Sequence, residues 1–121
     1  MKKYQESYFY FKIALDRDTP SSDALNLIAY LYARGDGVKR NFAEALKYID
    51  IAIAKNPENA NYYDSKGEIL LMKGDLSGAI SMYKKTKSID SQFYINNNST
   101  LFQKLKEKNL IEDRSVPSIC N

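Results

Sequence analysis

Residues 41–90, NFAEALKYIDIAIAKNPENANYYDSKGEILLMKGDLSGAISMYKKTKSID, write out one helix-hairpin pattern and then begin it again. Phe42, Ala45, Ile49, Ala52 and Pro57 are followed 34 residues on by Leu76, Ala79, Tyr83, Thr86 and Ser91. Toward the N-terminus, Tyr4, Ser7, Tyr10, Phe11, Ala14 and Thr19 precede Phe42, Ala45, Tyr48, Ile49, Ala52 and Pro57 by 38 residues, and the same offset carries Ala29 onto Gly67. An insertion of four residues between 29 and 45 reconciles the two offsets. The loop-forming residues available for it are Gly35, Asp36, Gly37 and Val38. A pattern recurring at a fixed period marks supersecondary units that bury their apolar faces against one another.

Each unit reads as helical. Tyr4, Tyr8, Phe11 and Leu15 stand three or four apart and predict a helix over 3–16 with one apolar face. In the repeat frame this is the second helix of a pair, so part of its aromatic face is left for a partner helix. Thr19-Pro20 marks the start of the next helix, over 21–34, with Ala24, Leu25, Ile28, Ala29 and Tyr32 on one side. Gly35 supplies a left-handed C-terminal residue there. Further helices are expected from Phe42 to Ile53, over 59–73 with Gly74 as terminator, and from Leu76 to Ile89 behind an Asp75 cap. Beyond Ser91 the pattern weakens, and an amphipathic helix over about 98–108 places Leu101, Phe102 and Leu105 opposite Gln103, Lys104, Lys106, Glu107 and Lys108. Asn109 reads as its C-terminal cap, with Leu110 folding back.

The expected organisation is one helical repeat domain over 1–111 and a tail over 112–121. The domain divides into a half repeat 3–19, a repeat 21–57, a repeat 58–91 and a capping helix 92–110. A length of 121 residues allows a modest single core. With 18 basic and 15 acidic residues interspersed, the net charge of +3 creates no strong field for nucleic acid or anionic lipid. The lone Cys120 closes no intrachain disulfide, and the absence of histidine removes the commonest metal ligand and general base. Neither a signal peptide nor a membrane span is legible, so a cytoplasmic protein is expected, although a chain opening in mid-repeat is also consistent with a piece of a longer one.

On these residues the chain resembles tetratricopeptide repeats. The repeat over 24–57 is similar to the Sel-like variant, through Ala24, Tyr32, Gly35, Gly37, Val38, Ala45, Tyr48 and Ala52. That over 60–91 is similar to the standard form, through Tyr63, Gly67, Leu70, Gly74, Asp75, Ala79, Tyr83 and Ser91. Lys66, Thr86 and Ser91 depart from the pattern and imply a looser second hairpin. The resemblance implies an all-α, right-handed superhelix of antiparallel helix hairpins. First helices would line a concave groove that binds a peptide or a protein surface.

Carried over by position, the groove takes Asp23, Asn26, Leu27, Tyr30, Ala33 and Arg34 from one helix, and Asn61, Asp64, Ser65, Glu68, Leu71 and Met72 from the next. Binding is expected to centre on Asp23, Asn26, Tyr30, Arg34, Asp64, Glu68 and Met72. Asn26 fits a position of the carboxylate clamp of some family members, but Tyr30, Asp64 and Ser65 stand at others, so that clamp is not assembled. Asp64 and Glu68 are expected to repel an acidic peptide and favour a basic or polar partner.

Sharper chemistry finds little support. Asp64 and Glu68, four apart, read as a solvated helix face rather than a cation or acid-base site. Asp16, Asp18 and Asp23 lack the glycine and closing glutamate of a calcium loop, and Gly35-Asp36-Gly37 lacks the Gly-Lys-Ser/Thr of a phosphate cradle. No serine has a base, so neither catalysis, cofactor nor metal is expected. Lys84, Lys85, Lys87, Lys104, Lys106 and Lys108 form a candidate basic stripe, but with aromatics on other helix faces nucleic-acid binding is disfavoured. Tyr4, Tyr8 and Phe11 are the candidates for self-association into a homo-oligomer.

Overall fold

The computed structural model describes residues 21–97 and 99–111. The expected half repeat 3–19, with Tyr4, Tyr8 and Phe11, and the tail 112–121 lie outside the described residues. Among the described residues there are six helices and no strand: α1 (Ser22–Arg34), α2 (Phe42–Lys55), α3 (Ala60–Lys73), α4 (Leu76–Ile89), α5 (Phe93–Asn96) and α6 (Thr100–Glu107).

Local chemistry sets these boundaries. Ser21 caps α1, its hydroxyl accepting from the Ala24 amide at 3.1 Å. Asn41 caps α2 through the Glu44 amide and Asp75 caps α4 through the Gly78 amide. At the C-terminus of α3, Gly74 takes the left-handed conformation (φ 96°), its amide reaching Leu71 O at 3.0 Å while the Asp75 amide reaches Leu70 O at 2.8 Å. Both orphan carbonyls are thereby satisfied. The helices at either side of the repeat start 38 residues apart in one case, Ser22 to Ala60, and 34 in the other, Phe42 to Leu76. Here the four-residue insertion resolves into two parts: α1 has 13 residues against 14 in α3, and the α1–α2 connector holds the seven residues 35–41 where the α3–α4 connector holds only Gly74 and Asp75. The longer connector is folded back on its helix by the Asn41 amide donating to Tyr32 O at 2.9 Å.

Packing follows the sequence pairs. Helix α1 lies along α2, α3 along α4, and α3 is also covered by α2 and α1. One core cluster, with Leu25, Ala29, Ala45, Ile49, Ala52 and Ile69, fills the space between α1, α2 and α3. The other, with Leu70, Ala79, Tyr83, Phe93, Tyr94, Leu101, Phe102 and Leu105, joins α3 and α4 to the C-terminal helices. Its centre is an aromatic pile in which Tyr94 stacks on Tyr83 (4.8 Å between centroids) and Phe102 (5.3 Å) and meets Phe93 edge-on. Gly67 permits the closest approach: a Cβ there would stand 2.5 Å from Leu101 Cδ2 and 3.0 Å from Met82 Cβ. Thr86 is fully buried, and its hydroxyl donates to Met82 O, so a polar residue sits in the α4 contact without an unmet donor.

The capping segment 92–110 holds two short helices, and the second, Thr100–Glu107, falls within the helix expected over about 98–108. Phe93 and Tyr94 turn inward on α5, the chain extends at Asn97, and Ser99 restarts it as the cap of α6. Helix α6 ends as its sequence suggests, with Asn109 left-handed (φ 58°) and the Leu110 amide reaching back to Leu105 O at 3.0 Å. No helix among the described residues is long and apolar enough to cross a membrane.

Candidate protein-interaction surface

The facing sides of α1 and α3 hold the residues expected to line a groove. Along α1, Asp23, Asn26, Tyr30 and Arg34 recur every three or four residues, and along α3 so do Asn61, Asp64, Glu68 and Met72, which puts each set on one stripe. Between the stripes runs a polar seam. Tyr62 Oη donates to Asp23 Oδ1 at 2.7 Å, and Tyr30 Oη donates to Glu68 Oε2 at 2.6 Å. Asp64 Oδ1 accepts from both Tyr94 Oη and Ser99 Oγ, each at 2.7 Å.

Asp64 and Glu68 are therefore not a solvated face. Only 8% of Asp64 and 7% of Glu68 is exposed, because α5 and the start of α6 cover the first and Tyr30 of α1 covers the second. Burial raises the Asp64 carboxyl above its ordinary range. Its two hydroxyl partners pull the other way, and the Glu68 charge adds to the rise. The phenols respond to the same surroundings: burial first, then its carboxylate, pushes Tyr62 up to about 12, and Tyr30 and Tyr94 are raised further still. Both carboxylates on which a preference for basic partners was founded are thus inside the protein, and that expectation loses its physical basis. Tyr30 likewise belongs to the seam, so its removal disturbs Glu68 as well as any surface contact.

What remains outward is different in kind. Asp23 and Arg34 are exposed, the Arg34 guanidinium lying over the Tyr30 ring at 5.4 Å. Leu27 (46%) and Met72 (38%) are large exposed apolar groups on the two stripes. Asn26 is half-buried, and its Oδ1 is out of contact with water and without a hydrogen-bond partner.

At the C-terminal ends of α1 and α3 opens a cleft of about 620 Å³, lined by Arg34, Glu68, Leu71, Met72, Gly74, Leu76, Thr100, Lys104 and Lys108. Leu76, Lys104 and Lys108 are absent from the expected site, because nothing in the repeat pattern brings α6 against α3 and α4. The available signal was the turn-spaced Lys104 and Lys108 on the polar side of an amphipathic helix. A second concavity, about 670 Å³, lies between the α2–α3 and α4–α5 connectors, with Lys55, Glu58, Asn59, Asp90 and Asn97 on its walls.

Two lysines of the candidate stripe lie over buried rings, Lys87 over Tyr83 and Lys106 over Phe102, each at 5.2 Å, and Lys85 lies over the half-buried Tyr63 at 5.6 Å. Single-stranded nucleic acid stacks its bases on open aromatic faces, and none of these three rings is fully exposed. No group of three metal-ligating side chains occurs among the described residues.

Fold and surface together define an all-helical domain of packed helix pairs. The chain belongs to the family described as N-terminal acetyltransferase A, auxiliary subunit, whose model matches residues 4–113. No curated protein and no solved structure matches it.

Proposed function

We propose that the chain is a non-catalytic scaffold segment that holds a protein partner, the catalytic subunit of an N-terminal acetyltransferase, against the concave face of its stacked helices. The observation that carries this is the family match across residues 4–113, since an auxiliary subunit acts through a companion that performs the chemistry. The 34-residue offset between α2 and α4, with fully buried Ala45 and Ala79 at matching places, supports tetratricopeptide-type stacking into a short right-handed superhelix. In such an arrangement the α1 and α3 stripes form the concave face. Asp23, Asn26, Leu27, Arg34 and Met72 are its contact residues, while Tyr30, Asp64 and Glu68 hold the shape of its floor.

Co-expression with the catalytic acetyltransferase subunit tests the reading. The expected result is a complex that survives size-exclusion chromatography, with acetyl transfer to peptide N-termini only when the catalytic subunit is present. Leu27→Glu combined with Met72→Glu, both exposed, is expected to weaken the complex without loss of helicity. Separate elution of the two wild-type chains at micromolar concentration would refute the proposal.

A further inference from the structure

We infer that the cleft between the ends of α1 and α3 and the outer side of α6 docks an acidic segment of the partner, one that carries leucine-like anchors between its carboxylates. This rests on the scaffold reading above and narrows it to one place and one charge. The floor of the cleft is aliphatic, made by Leu71, Met72 and Leu76, and Leu76 is 40% exposed. Such a patch is the part of a surface that gains most from being covered. Its rim is cationic, with Arg34 on one side and Lys104 and Lys108, one helical turn apart, on the other.

Charge complementarity selects the occupant. All three cations are exposed, and none forms an ion pair with a carboxylate among the described residues. The single carboxylate in the lining is Glu68, buried and already accepting the Tyr30 hydroxyl. A basic segment would meet three like charges at the rim, whereas an acidic one would find them without an ion pair among the described residues. An aliphatic floor, offering no aromatic face to a base, favours a peptide over a nucleic acid. The connector concavity on the other side has no such bias, since Lys55 there is offset by Glu58 and Asp90.

The test uses the full chain and two fluorescein-labelled peptides, Glu-Glu-Leu-Glu-Glu-Leu-Leu-Glu-Glu and its twin with every glutamate replaced by lysine, followed by anisotropy. The expected result is binding of the acidic peptide alone, weakened as salt is raised. Lys104→Glu with Lys108→Glu, on the solvent side of α6, is expected to lower that affinity roughly tenfold or more with an unchanged circular dichroism spectrum. Equal binding of the twins, binding of neither, or indifference to the charge reversal would overturn the inference. So would a concentration-dependent dimer abolished by the same reversal, which would assign the cleft to a second copy of the chain. The peptide readout decides the cleft, while retention of the catalytic subunit by the wild-type chain decides the scaffold reading, so either can fail alone.

Discussion

Two hydroxyls, from Tyr94 and Ser99, donate to the same oxygen of Asp64, yet burial still raises the carboxyl above its ordinary range. Desolvation therefore outweighs both hydrogen bonds, and the neighbouring Glu68 charge reinforces it. A folded-state pKa above the unfolded value gives a definite sign. Below the ordinary aspartate value of about 3.9 both states hold the proton and the contribution is fully present. As pH rises through the raised pKa, the unfolded chain ionises first and stability falls. Asp64→Asn keeps an oxygen for both donors and has no proton to lose. Urea denaturation across the acidic range is expected to show a decline for the wild type that is shallower in the variant. Parallel curves would mean that Asp64 ionises in the folded protein as it does in the unfolded one.

Helices α3, α4 and α6 meet at Gly67, where the lack of a side chain sets how closely they pack. Gly67→Ala adds a methyl 2.5 Å from Leu101 Cδ2, and overpacking of this kind destabilises by about 1–3 kcal/mol. The better helix propensity of alanine recovers about 1 kcal/mol of that. Leu101→Ala, at a fully buried position, is expected to cost about 2–5 kcal/mol. Since the leucine tip is what the new methyl strikes, the double variant should be more stable than the sum of the single effects predicts, a coupling that chemical denaturation measures. Additive losses would place the strain elsewhere, at Met82 or the Ala79 carbonyl. The elements that meet here were unequally legible in sequence. Helices α1 to α4 are long enough for their apolar spacing to register, and Gly35, Gly74 and Asp75 punctuate them by local chemistry alone. Helix α5 has four residues, too few for any period, so it was not legible as a helix. The same distinction governs the candidate site: the exposure of Asp23, Arg34 and Met72 was readable from their own helices, whereas the burial of Asp64 and Glu68 depends on Tyr94, Ser99 and Tyr30, brought in from other elements.

Across the whole molecule, three phenol-to-carboxylate contacts tie its layers together: Tyr62 of α3 to Asp23 of α1, Tyr30 of α1 to Glu68 of α3, and Tyr94 of α5 to Asp64 of α3. Burial first, and then the carboxylate that each hydroxyl meets, disfavours the phenolate, so all three are raised. Up to the ordinary tyrosine pKa of about 10 both folded and unfolded chains keep these protons, and the stabilisation is intact. Above it the unfolded chain releases them and the folded chain does not, so stability declines until the helices separate. An alkaline titration following tyrosinate absorbance together with circular dichroism is expected to show two phases among the ten tyrosines. The first should leave helicity unchanged, and the second should coincide with its loss. Replacing Tyr30, Tyr62 and Tyr94 by phenylalanine should shrink the second phase, while lowering stability at neutral pH because three carboxylates lose a donor. Were every tyrosine to ionise in one step with the helices intact, the seam would be open to water, and the firm floor on which the groove and cleft depend would be lost with it.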